Sequence, residues 1–145
     1  MVEKGSIQNG LEDVKVNVKL KLAALWTATL FVWVYVDIIT FYKPGFIEDI
    51  LAGKVWQFDI SQTWALGALA LMTVPVVMIF LSLALPARVN RMVTMFVAGI
   101  YVLVSIGNSV GETWAYIWLG SATEVVLLSL IIWHAWKWPT TAGAR

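Results

Sequence analysis

Two acidic residues lie inside long apolar stretches of the chain, where a charged group is unusual. Asp37 is five residues before the end of the first stretch, and Glu124 is ten residues after the start of the last. At 1.5 Å per helical residue, these positions are about 7 Å and about 15 Å below the nearer membrane surface. A charged side chain at the centre of a bilayer helix costs roughly 2.5–3.5 kcal/mol, so it usually faces a protein interior and marks a functional site. The two carboxylates are therefore the first candidates for binding or acid–base chemistry.

The third apolar stretch carries a polar face at the same depths. Polar and small residues recur there at spacings of 4, 3, 4 and 3: Thr94, Ala98, Tyr101, Ser105 and Asn108. This spacing places all five on one side of a helix. Residues of these types in membrane helices often only hydrogen-bond a neighbouring helix, so a purely structural role remains open beside a functional one.

Further polar and aromatic residues lie at matching levels of the other stretches. Thr73 and Tyr101 are level with Glu124, and Trp33 is one helical turn from Asp37. These positions predict a polar, partly aromatic cavity in the outer half of the bundle. Its predicted ligand-binding residues are Asp37, Glu124, Trp33, Tyr101, Asn108, Thr73, Ser105 and Ser121. The alternative for Asp37 is a carboxylate that reaches the headgroups or pairs with Lys43.

Four long apolar stretches must position these side chains. They cover residues 22–42, 64–85, 92–110 and 114–136, and a helix needs about 20 residues to cross the hydrocarbon core. Only 13% of the chain is charged, about half the share of a soluble domain. The sequence therefore predicts an all-α integral membrane four-helix bundle over residues 19–138, between a polar N-terminal segment (1–18) and a tail (139–145).

The connections between the stretches differ in length. Residues 43–63 form a long loop that opens with Pro44-Gly45, which ends the first helix. Apolar residues recur at helical spacing over residues 46–55 and predict a short helix in the membrane interface. The turns at 86–91 and 111–113 are tight, so the helices that they join are expected to pair as antiparallel hairpins.

The basic residues predict the orientation of the bundle. Eight of the ten Lys and Arg residues lie at the end that carries both termini, and only Lys43 and Lys54 lie at the other end. The positive-inside rule places the basic end in the cytoplasm, so we expect a multi-pass protein of the cell membrane with cytoplasmic termini. At that end, Asn90 is expected to cap the third helix, with Arg91 facing lipid phosphate as an anchor; a role of the pair in binding is the alternative.

Composition excludes several classes of function. The chain has no cysteine and a single histidine, His134, which rules out disulfides, iron–sulfur clusters and a multi-histidine metal site within one chain. A net charge of +1 provides no basic surface for nucleic acid. No nucleophile triad or phosphate-binding loop is present, so an enzyme would depend on Asp37, Glu124 and tyrosines. We therefore predict no metal, no cofactor and no nucleic-acid partner; the lipid bilayer is the expected partner.

Short motifs give the chain a resemblance to a known group of proteins. They are Tyr35-x-Asp37 before Pro44-Gly45, Asn90-Arg91, Glu124, and Trp133-x-Ala135-Trp136-Lys137-Trp138. Together they resemble a family of small prokaryotic four-helix membrane proteins of unknown function. Many members carry Glu-x-Pro in the second helix, whereas this chain has Thr73-Val74-Pro75 and lacks that acid. The resemblance implies the fold, which is distantly DoxX-like in architecture, and implies no activity.

Three functions remain compatible with these residues. The first is binding or transport of a small amphiphilic, lipid-like or cationic ligand in the cavity. The second is a role as an accessory subunit of a larger membrane complex, with a homo-oligomer as a further arrangement. The third is an intramembrane enzyme, such as an isomerase that uses the two acids as general acid and base; we expect a non-enzymatic role.

Overall fold

The computed structural model describes residues 15–139 and contains four long helices, one short helix and one two-stranded hairpin. In chain order these elements are α1 (Val18–Thr40), α2 (Phe46–Leu51), β1 (Lys54–Val55), β2 (Phe58–Asp59), α3 (Gln62–Ala84), α4 (Ala87–Ser109) and α5 (Ala115–Trp136). The four long helices are each long and apolar enough to cross a membrane. The predicted all-α four-helix bundle, with a short helix between its first two spanning helices, is confirmed.

The bundle is packed tightly at one end and loosely at the other. We call the end that carries residues 41–61 and 110–114 the loop end, and the opposite end the terminal end. Within α3, the buried residues are Pro75, Met78 and Ser82, all in its second half. That half packs at the terminal end. The contact of α3 with α1 is much more extensive than its contact with α4. The first half of α3 buries no side chain, which leaves space beside it at the loop end.

Two prolines shape the contact between α3 and α4. A proline has no N–H, so the carbonyl four residues earlier loses its helical hydrogen bond. Pro75 leaves the carbonyl of Leu71 without that donor, and the Tyr101 hydroxyl of α4 donates to this oxygen. Ser82 lies in the last turn of α3, which ends before Pro86, and its carbonyl accepts from the Asn90 side-chain amide at 2.6 Å. Side chains of α4 thus satisfy both carbonyls of α3.

The predicted role of Asn90 as a helix cap is wrong. Helix α4 begins at Ala87 directly after Pro86, which has φ −59°, a value suited to the start of a helix. Asn90 therefore lies inside the first turn, fully buried, and accepts a hydrogen bond from Thr94 at 3.0 Å. Arg91 lies with its guanidinium carbon 5.7 Å from the ring centre of Trp136. A role of either residue in anchoring the protein to lipid stays a prediction.

The helix predicted over residues 46–55 is shorter in the structure. Helix α2 starts after Gly45 (φ 85°) and ends at Leu51, and Gly53 follows with φ 81°. A glycine in the left-handed region commonly ends a helix. The chain then forms the β1–β2 hairpin, in which Val55 pairs with Phe58. β-Branched and aromatic residues favour strands, which explains why the helical pattern does not continue through this segment.

Candidate ligand-binding cavity

A cavity of about 520 Å³ lies at the loop end, beside the first half of α3. Ligand pockets for small organic molecules typically measure about 300–1,000 Å³. The cavity is lined by all four long helices and by the connector formed by α2, β1 and β2. Its lining residues are Trp33, Val36, Asp37, Thr40, Phe46, Val55, Trp56, Phe58, Thr63, Trp64, Gly67, Ala68, Leu71, Met72, Tyr101, Val104, Asn108, Ile117, Ser121 and Glu124.

Both carboxylates that the sequence singled out, Asp37 and Glu124, line this cavity. Glu124 is only 4% exposed and lies nine residues into α5, a depth of about 14 Å. Asp37 is exposed and lies three residues before the end of α1. Within residues 15–139, no group donates a hydrogen bond to either carboxylate, and no Lys or Arg lines the cavity. The cavity therefore carries two acids whose oxygens are free to meet a ligand.

The alternative pairing of Asp37 with Lys43 does not occur. The Lys43 ammonium instead contacts the Glu112 carboxylate at 2.9 Å, in a partly buried salt bridge. Nearby, the Tyr116 hydroxyl donates to the Thr40 hydroxyl at 3.0 Å. These two contacts join the end of α1 to the turn before α5 and to α5 itself, so the loop end is held together without using Asp37.

Aromatic rings form the deep wall of the cavity. The rings of Trp33 and Tyr101 lie 5.2 Å apart at 31°, and Trp26 meets Tyr101 edge-on at 6.5 Å and 88°. Trp26 is fully buried and Tyr101 is 3% exposed. Because the Tyr101 hydroxyl donates to the Leu71 carbonyl, the small part of Tyr101 that lines the cavity is apolar ring. This wall suits flat apolar groups or a cation placed over a ring face.

The connector supplies a further part of the lining that the sequence did not identify as a site. Phe46 of α2 and Val55, Trp56 and Phe58 of the hairpin line the cavity. Trp56 has φ 56°, a left-handed conformation that non-glycine residues rarely adopt. The signal in the sequence is a tryptophan close to the strand-forming residues Val55 and Phe58 in a loop.

The structure brings six of the eight predicted site residues to the cavity: Trp33, Asp37, Tyr101, Asn108, Ser121 and Glu124. Thr73 is exposed on α3, and its hydroxyl donates to the carbonyl of Leu69 at 2.8 Å. Ser105 is fully buried outside the cavity lining, and its hydroxyl has no hydrogen-bond partner among the described residues. The sequence predicted the depth of these two residues along their helices. It did not predict the rotation of the helices, which points both side chains away from the cavity.

The comparisons with known proteins identify the family. A family of unknown function, DUF6326, matches residues 12–144, and the chain therefore belongs to this family. No curated protein and no solved structure matches the chain. The predicted relationship to a small four-helix family of unknown function is confirmed.

Proposed function

We propose that this member of the DUF6326 family is a membrane protein that binds a small amphiphilic molecule in the cavity at its loop end. The observation that carries the proposal is the combined lining of this cavity. Trp33, Trp64 and Tyr101 offer apolar rings, whereas Asp37 and Glu124 offer unpaired polar atoms. An amphiphile has both kinds of surface, and apolar pockets with a few convergent polar groups are the usual sites for small ligands.

A substitution that fills the cavity should abolish this binding. Ala68 lies on the cavity side of α3, and Ala70 is exposed on the same helix outside the lining. We expect Ala68→Trp to lower the affinity at least about tenfold because the indole occupies the ligand's space, a loss of about 1.4 kcal/mol or more. Ala70→Trp adds the same ring to the outer surface and should leave the affinity unchanged.

The measurement uses full-length protein in phosphatidylcholine nanodiscs. Binding of benzyltrimethylammonium and of benzyldimethylamine N-oxide is followed by equilibrium dialysis against protein-free nanodiscs. The two probes have nearly the same shape, with net charges of plus one and zero. The proposal is supported if wild type binds at least one probe and Ala68→Trp selectively loses it. Equal retention of the probes by wild type, Ala68→Trp and protein-free nanodiscs would refute it.

We further propose that the termini lie in the cytoplasm and that the cavity lies at the outer end. The basis is the concentration of Lys and Arg at the terminal end. Because the chain has no cysteine, single cysteines report topology directly. An impermeant maleimide added to intact cells should label Glu48→Cys in the connector and spare Ala87→Cys at the terminal end. Labelling of Ala87→Cys alone would show the reverse orientation.

A further inference from the structure

We infer that the molecule held in the cavity is an organic cation, whose positive group lies at Asp37 and Glu124 against the rings of Trp33 and Tyr101. The inference rests on the proposed function and assigns the charge of its ligand. Its first support is the unbalanced charge of the lining. Two carboxylates line the cavity, and no Lys or Arg does so within the part of the chain that the structure describes.

Glu124 is the residue that requires a partner most strongly. Its side chain lines the cavity, is only 4% exposed, and accepts no hydrogen bond from residues 15–139. A buried carboxylate that stays ionised is costly unless it is paired, and charged groups in membrane helices usually face the protein interior and pair with another group. A positive group in the cavity would supply the missing partner. The Lys43 ammonium is already paired with the Glu112 carboxylate.

The aromatic wall supports an organic cation over a metal ion. Trp33 and Tyr101 line the cavity together with the two carboxylates, and Trp56 and Trp64 add two further indoles to the lining. Ring faces attract quaternary ammonium groups, which have no N–H group to hydrogen-bond water and therefore lose little hydration when they are buried. A hard metal ion instead needs several oxygen ligands, and residues 15–139 bring together no group of three or more His, Asp and Glu side chains.

The size of the cavity agrees with the same class. About 520 Å³ is far more than a bare ion fills and suits an ammonium group with an attached apolar body. The body would lie among the apolar residues of α3 and the connector, such as Leu71, Met72 and Phe46, which also line the cavity. The two acids differ in position, since Asp37 is exposed near the loop end and Glu124 is buried deeper. A cation entering from the loop end would therefore meet Asp37 first.

The test compares the two probes introduced above on charge-neutralised variants. Wild type should bind benzyltrimethylammonium at least about tenfold more tightly than the neutral N-oxide, since ion pairing is stronger where water is excluded. Asp37→Asn and Glu124→Gln should each reduce this preference severalfold or more and leave the affinity for the N-oxide within about twofold. Asp49→Asn removes an exposed carboxylate of α2 outside the lining and should leave the preference unchanged.

The possible failures are distinguishable. If wild type binds both probes equally and the acid variants change nothing, the cation inference is overturned while the proposed function stands. If wild type binds neither probe above protein-free nanodiscs, the proposed function itself fails. Thermal unfolding of each variant checks its fold, and Asp37→Asn, at an exposed position, carries the test alone if Glu124→Gln does not fold. A preference for the cation that survives both substitutions would also overturn the inference.

Discussion

Gly120→Ala should destabilise the protein, although alanine is normally the better helix former. A Cβ atom added at Gly120 would lie 2.5 Å from Cγ2 of Val36, where α5 crosses α1. Val36 cannot easily turn aside, because a β-branched side chain in a helix has one strongly preferred rotamer. We expect a loss of about 1–3 kcal/mol in the free energy of unfolding, the usual cost of overpacking a close contact.

Two controls separate this steric effect from helix propensity. Gly107 lies in α4, is exposed, and has no atom within 4 Å of an added Cβ. Gly107→Ala should therefore be neutral or slightly stabilising. Combining Gly120→Ala with Val36→Ala should recover part of the loss, since the clashing methyl group is gone. Denaturant titration of the wild type and of these three variants in detergent micelles measures the differences, and equal effects of the two single glycine substitutions would contradict the steric explanation.

The same contact is important for the cavity. Val36 and Glu124 both line it, and the added Cβ of Gly120→Ala would lie 3.9 Å from Oε1 of Glu124. A displacement of α1 from α5 would move Asp37 and Glu124 apart, because each helix carries one of the two acids. Gly120→Ala should therefore weaken binding of benzyltrimethylammonium even under conditions where the variant remains folded, which dialysis at low temperature can establish.

Most of the fold could be predicted because the membrane imposes simple constraints. An uninterrupted apolar stretch of about 20 residues has few alternatives to a spanning helix. The same constraint made Asp37 and Glu124 conspicuous, and both line the cavity. The start of α4 was less predictable, since its first five residues include Arg88, Asn90 and Arg91, and polar residues at a helix end are not counted as part of an apolar stretch.

The parts of the site that sequence did not predict depend on rotation and on the connector. Ser105 and Asn108 share a helical face by spacing, yet only Asn108 reaches the cavity lining. Spacing fixes which residues share a face, while packing against neighbouring helices decides what that face meets. Trp56 and Phe58 line the cavity because residues 54–59 form a hairpin whose two strands have two residues each. So short a hairpin has almost no periodicity to detect in the sequence.

The link between Pro75 and Tyr101 predicts the second large effect. The missing N–H of Pro75 frees the backbone carbonyl of Leu71 in α3, and the Tyr101 hydroxyl donates a hydrogen bond to this oxygen. Tyr101→Phe keeps the ring beside Trp33 and removes only the hydroxyl. The Leu71 carbonyl is then left without a donor in an apolar region, and we expect a loss of about 1–3 kcal/mol in the free energy of unfolding.

The cost of Tyr101→Phe should nearly disappear when residue 75 can donate a hydrogen bond. In Pro75→Ala, the new backbone N–H can bond the Leu71 carbonyl within α3, as in an ordinary helix. Tyr101→Phe in that background should therefore cost much less than in the wild-type chain, a coupling measurable by a double-mutant cycle of unfolding free energies.

Tyr116→Phe provides the matched control, since its hydroxyl bonds Thr40 and not α3. Its cost should be the same with Pro75 and with Pro75→Ala. If Tyr101→Phe also costs the same in both backgrounds, Tyr101 does not compensate for the proline, and the wall of the cavity is held by ring packing alone.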